Sequence, residues 1–209
     1  MSAQEKLTPA EIELLDELLG RIGRLPNMQR EAFSLFWKHR LMPMNPQELV
    51  ILERIPNDVY SEGFPRVLLT YRPPSDPYYP DCWHHPGGYL GSNESVEKDA
   101  IQRIAKREIK VGVKNIEKVS IVNWPKLERD HEFSGLYICE PEGTPELIPG
   151  RSEWFAFFKL PEKLLYHHNL MHNKVAAHLM FRSVLYKLSP VCFENFKGLR
   201  SILESDAKK

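Results

Sequence analysis

Cysteine is scarce in this chain, with Cys82, Cys139 and Cys192 far apart, odd in number and without a C-x-x-C pair. That pattern excludes a disulfide framework and a thiolate zinc site and points to isolated thiols in a reducing compartment. No apolar run approaches the length of a membrane span, and Met1 to Leu7 lacks the apolar stretch of a secretory signal. The expectation is a cytoplasmic protein with no membrane partner. Neither sign of charge is in excess, Lys+Arg and Asp+Glu both numbering 28 in 209 residues. A polynucleotide partner, which needs a basic field, is therefore not expected. There is also no internal repeat and no low-complexity tract.

What is present is an ordinary globular composition, 42% hydrophobic and 27% charged, long enough for one domain with an appendage. Thr8, Pro9 and Glu11 form a cap, a first-turn proline and a capping-box carboxylate. Ile12, Leu15, Leu18, Leu19 and Ile22 then recur at helical spacing, which predicts a helix from Pro9 to Arg24. A second helix, from about Met28 to Arg40, would complete an N-terminal hairpin over residues 1–42, packed on the main fold or forming a homodimer contact. The main domain, residues 43–209, begins after Pro43 and Pro46. Strands are expected at Glu48–Ile55, Arg66–Arg72, Ile116–Trp124, Phe133–Cys139 and Trp154–Leu160. The turn through Asn57, Asp58 and Gly63 joins the first two, and a rigid Pro- and Tyr-rich loop spans Pro73–Pro80. Helices follow from Pro161 to about Lys187, with a break near Asn169, and from Phe193 to Glu204. This irregular order argues for an α/β domain, a mixed sheet with helices on both faces.

One stretch combines features suited to an anion and a metal: Trp83 to Val113, W-H-H-P-G-G-Y-L-G-S-N-E-S-V-E-K-D-A-I-Q-R-I-A-K-R-E-I-K-V-G-V. Gly87 and Gly88 let backbone approach a ligand, and a helix opened by Asn93 or Ser95 carries side chains beside that turn. It resembles the box of the Nudix hydrolase family, G-x5-E-x7-R-E-U-x-E-E-x-G-U, where U is aliphatic. Gly88 and Glu94 match the first two elements. One inserted residue then brings Arg103 to the box arginine and Glu108 to the last box glutamate, with Ile104 and Arg107 at the two other carboxylate positions and Gly112 two residues late. A rival register on Arg107-Glu108 sets that arginine thirteen positions after Glu94 and Gly112 two too early. Flanking segments V-L-L-T-Y-R, H-E-F-S-G-L-Y-I-C and E-W-F-A-F-F-K-L-P extend the resemblance over roughly Glu48 to His172.

The resemblance implies an α/β/α sandwich and hydrolysis of a small nucleoside diphosphate derivative with Mg²⁺, or Mn²⁺ in its place. The depleted helix is most similar to the GDP-mannose mannosyl hydrolase branch, which keeps the arginine and last glutamate. Carried over, metal ligands would be Glu108 with a carbonyl of Gly87 or Gly88, and Glu94, whose other reading is a helix-start cap. Arg103 would pair with a loop carboxylate or carbonyl near the substrate, and Arg107 either meets solvent or binds phosphate directly. Arg72 would hold a diphosphate while Tyr78 and Tyr79 stack on a base or sugar. The branch's catalytic loop histidine is missing from I-P-G-R-S-E, which leaves Glu153 or His131 as base beside Glu108. His84 and His85 should alternate inward and outward, and His168 and His172 should lie on an exposed histidine-rich helix rather than form a metal pair. The competing function is a binding or regulatory module on the same fold that has lost turnover.

Overall fold

The computed structural model describes residues 7–23, 44–90, 94, 97–127 and 130–188. Within them, α1 (Pro9–Gly23) opens with the expected capping box: the Thr8 amide donates to Glu11 Oε2 at 2.7 Å and the Glu11 amide to Thr8 Oγ1 at 3.3 Å. Its apolar residues Ile12, Leu15, Leu18 and Leu19 are exposed, and no described residue covers them. The second helix of the hairpin and the helix expected at Phe193–Glu204 lie outside the described residues.

The sheet contains β1 (Pro46–Leu52), β2 (Arg66–Arg72), β3 (Cys82–His84), β4 (Gly87–Tyr89), β5 (Val113–Leu127), β6 (Asp130–Pro141) and β7 (Ser152–Ala156). Its main path runs β3-β2-β1-β6-β5, with β4 added to β1 and β7 to β2. The β1–β6 pair is parallel and the others antiparallel, so the sheet is mixed. Alternation along β1 sorts the core. Leu49 and Ile51 face α3 (Glu97–Ile109) with Leu68, Ile101, Ile104, Ala105 and Ile109. Val50 and Leu52 face α4 (Tyr166–Leu188) with Val67, Leu69, Met171, Val175 and Leu179. Each fully buried aliphatic side chain contributes about 1.5–3 kcal/mol, and the two layers complete the expected α/β/α sandwich.

Several boundaries differ from expectation for tertiary reasons. A one-turn helix α2 (Val59–Glu62) replaces the predicted open turn because Asp58 caps it, its carboxylate accepting from the Tyr60 amide. α4 begins at Tyr166 rather than Pro161 because the preceding residues pair with β3: Trp83 donates to the Lys163 carbonyl at 2.7 Å and Leu165 to the Trp83 carbonyl at 2.8 Å. It then runs unbroken past Asn169. The strand expected to reach Leu160 ends at Ala156, where the chain turns and the Lys159 amide bonds Ala156 O. No helix among the described residues is long and apolar enough to cross a membrane.

Candidate active site

The Gly87-Gly88 strand β4 adds to β1 between α3 and α4. Gly87 pairs with Glu48 and Gly88 with Gln47, so their missing side chains point to opposite faces. A Cβ on Gly87 would sit 2.2 Å from Glu48 Oε2, and one on Gly88 would sit 3.2 Å from Arg107 Nη2 and 3.3 Å from Ile104 Cγ1. Each glycine thus makes room for one charged side chain, Glu48 from the α4 face and Arg107 from α3.

Along α3 the helical period places Arg103, Arg107 and Glu108 beside this strand. Arg103 is pinned, its Nε donating to Glu94 Oε1 at 2.5 Å and its Nη2 to Glu94 Oε2 at 3.0 Å and to the Tyr89 carbonyl at 2.6 Å. Both oxygens of Glu94 accept from Arg103, which holds the loop on the helix. Arg107 donates from Nη2 to the Gly87 carbonyl at 2.8 Å and from Nε to Glu108 Oε1 at 2.8 Å. Ile104, one helical turn before Glu108, is fully buried. A carboxylate in its place would lose its hydration inside an aliphatic cluster, at a cost of several kcal/mol.

This arrangement does not fit a divalent ion as the resemblance implies. Gly87 O and Glu108 do converge, as expected of ligands, but the Arg107 guanidinium already bridges them. A doubly charged ion about 3 Å from it would be repelled by on the order of 3 kcal/mol even at the dielectric of water. Among the described residues no group of three or more His, Cys, Asp or Glu is placed to hold a metal ion.

Five histidines, His84, His85, His167, His168 and His172, are all buried. This corrects two expectations: His84 and His85 are both buried rather than one inward and one outward, and His168 and His172 are not on an exposed face. The cause is α4, which lies over β3 and stacks the rings of His168 and His172 on that of His85 at 5.3 and 5.8 Å. The His85 amide donates to His168 Nδ1 at 2.9 Å, and His172 Nε2 meets the Phe157 carbonyl at 2.7 Å. One ring nitrogen of His168 and one of His172 thus meet separate backbone groups. Burial pushes His85 and His168 well below the usual 6.5, with neighbouring rings adding to the effect. Burial likewise takes His172 to about 4, against an opposing bond to Phe157 O. With Nδ1 accepting, the neutral His168 carries its proton on Nε2, which faces Glu48 Oε2 at 3.9 Å. Glu48 was not singled out in the sequence. Its only signal there is a lone carboxylate opening the apolar run L-V-I-L.

The remaining candidates are dispersed. Arg72 is held by Asp76 at 3.0 Å and lies over the Tyr79 ring at 5.5 Å, while Tyr79 is buried and Tyr78 exposed. Its charge contributes to keeping His168 neutral, which ties this loop to the histidine side of the sheet. Glu153 pairs with Leu69 on β2 and so takes the α4 side, opposite Glu108, where it is exposed. The backbone of His131 lies on β6, and its side chain is outside the described residues.

A mixed sheet between two helical layers, with a helix laid against a Gly-Gly strand and arginines bonding its carbonyls, defines an α/β/α sandwich. The chain belongs to the Nudix family: the NUDIX domain model matches residues 59–179, more than half of its length. Nudix hydrolases act on nucleoside diphosphate derivatives, generally with a divalent ion. Similar solved structures agree on the fold. A MutT NUDIX hydrolase from Burkholderia pseudomallei is 23% identical, with 64% of this chain and 98% of that one covered and a TM-score of 0.51. The NUDIX domain of Shewanella oneidensis NrtR, complexed with ADP ribose, is 17% identical over 83% and 99% of the two chains, with a TM-score of 0.52. No curated protein matches the sequence.

Proposed function

We propose that this chain hydrolyses a nucleoside diphosphate derivative at the Gly87-Gly88 end of α3. The observation that carries the reading is the Arg107 guanidinium fixed on the Gly87 carbonyl beside Glu108, a cation held at the turn where a diphosphate would approach. Reading α3 as a box with one insertion, and with Ile104 and Arg107 in two carboxylate positions, favours a GDP-mannose-like nucleotide sugar. The ligand of the Shewanella oneidensis relative favours an ADP-ribose type. Both share the diphosphate, and exposed Tyr78 with Arg72 offers the stacking and charge for the rest of such a molecule. Attack needs a base near the held phosphate. Of the two carboxylates on the α4 side, Glu48 lies against Gly87 itself, across β4 from Arg107, whereas Glu153 lies on β7 beside β2, and we assign the base to Glu48. Mg²⁺ or Mn²⁺ is given no ligand role on α3.

The test is a panel of GDP-mannose, ADP-ribose and related dinucleotides, assayed for sugar or phosphate-ester release with Mg²⁺, with Mn²⁺ and with chelator. Turnover of at least one compound is expected. Binding of several without turnover of any would sink the hydrolase reading.

A further inference from the structure

We infer that Arg107 is the resident cation of this site and binds a diphosphate without a divalent ion, a deepening of the proposed function that rests on the same turn. Its Nε and Nη2 are committed to Glu108 Oε1 and the Gly87 carbonyl, both at 2.8 Å. These are the atoms the Nudix resemblance assigns to a metal. The Nη1 group has no partner among the described residues, and the side chain is 52% exposed, so the outer edge of the fork faces solvent. The two Nη1 N–H groups are left to donate to phosphate oxygens, and the partners of Nε and Nη2 fix the guanidinium plane before a ligand arrives. Glu108 then acts as the anchor of Arg107, a positioning residue.

The substitution is coherent with its surroundings. Gly88 supplies the space in which the guanidinium lies, since a Cβ there would sit 3.2 Å from Nη2 and 3.5 Å from Nη1. Ile104 closes the other carboxylate position with an aliphatic side chain that meets the same glycine. A hard cation demands several oxygen ligands. Here one carboxylate and one carbonyl are already consumed by a fixed positive charge, so metal and Arg107 compete for the same two oxygens.

The inference is tested on the full chain with two probes, neither of which reads turnover. Inorganic pyrophosphate is titrated calorimetrically in chelator, where wild type should bind and Arg107→Gln should bind roughly tenfold or more weakly, as for loss of a charged hydrogen bond. Free Mn²⁺ is followed by its electron paramagnetic resonance signal. Arg107→Glu, which restores a carboxylate and removes the competing charge, should take up Mn²⁺ roughly tenfold or more tightly than wild type. A thermal melt of each variant confirms folding, and Arg107→Lys, which keeps charge without the fork, should fall between wild type and Arg107→Gln for pyrophosphate. Equal Mn²⁺ uptake by wild type and Arg107→Glu, or undiminished pyrophosphate binding by Arg107→Gln, would overturn the inference. Because both arms read binding, a chain that turns over nothing still decides it. Mg²⁺-dependent turnover with equal Mn²⁺ uptake by wild type and Arg107→Glu would keep the hydrolase and reject the resident cation.

Discussion

At the scale of single residues, the two glycines of β4 separate two charges by one thickness of backbone: Arg107 on the α3 side, Glu48 on the α4 side. On the proposed reading Arg107 holds the diphosphate and Glu48 takes the proton, which divides the chemistry between the two faces. Glu48→Gln keeps the size of the side chain while removing its basicity, so kcat should fall by roughly 10²–10⁴ with KM little changed. Glu153→Gln, on the edge strand paired to Leu69, should leave kcat within about twofold. Steady-state kinetics on whichever compound of the panel is turned over makes the comparison. The reverse ranking would return the base to Glu153. The sequence exposed Gly87, Gly88, Arg103 and Glu108, because a glycine pair and a fixed helical spacing are local signals. It could not show that Arg107 turns inward to Gly87 or that Glu48 underlies the turn, since both depend on the pairing of β4 with β1.

At the scale of elements, the late position of Gly112 has a conformational counterpart at the end of α3. The residue just past Ile109 is Lys110, with φ +63°, in the left-handed region where glycine is the usual helix terminator. Gly112 instead lies beside Gln102 and Glu142, where a Cβ would come within 2.9 and 2.7 Å of their side-chain oxygens. The ammonium of Lys110 caps the Arg107 carbonyl at 3.0 Å, which offsets part of the backbone cost. Lys110→Gly removes strain of about 1–2 kcal/mol and loses a contact worth about 0.3–1 kcal/mol. A net gain of roughly 1 kcal/mol should raise Tm by about 2–4 °C for a chain of this size. Calorimetry showing an unchanged or lower Tm would mean that the lysine cap outweighs the strain. Elements with local signatures were legible in this way, α1 by its capping box above all. β3 and β4, three residues each, were not, because only their partners on β2 and β1 make them strands.

At the scale of the whole molecule, the buried histidines set how the fold responds to acid. An unfolded His172 protonates near its ordinary 6.5, whereas in the fold burial holds it to about 4. Between those values the unfolded chain binds more protons, so stability falls as pH falls, and the contribution is fully present only above the unfolded value. At about 1.4 kcal/mol per unit, His172 alone accounts for a loss of roughly 3 kcal/mol between neutrality and pH 4. His85 and His168 shift in the same direction and add to it. The groups facing His172 are the Phe157 carbonyl and ring and the His85 ring; the carbonyl opposes the shift only in part and none of them carries a negative charge. Glu117 behaves differently. Burial raises it, but hydrogen bonds from His178 and Arg182 prevail and bring it to about 2 from 4.5, so its contribution is lost only as pH falls below the ordinary carboxylate range. Acid should therefore weaken the fold in two stages, histidines first and carboxylates later. Urea unfolding at a series of pH values should show the first stage as a steady decline beginning below about pH 6.5, and His172→Gln should flatten it. A stability that stays level down to pH 5 in the wild type would show that these rings are hydrated enough in solution to protonate in place. The stacking of α4 over His85 would then be looser than the 5.3 and 5.8 Å ring separations imply.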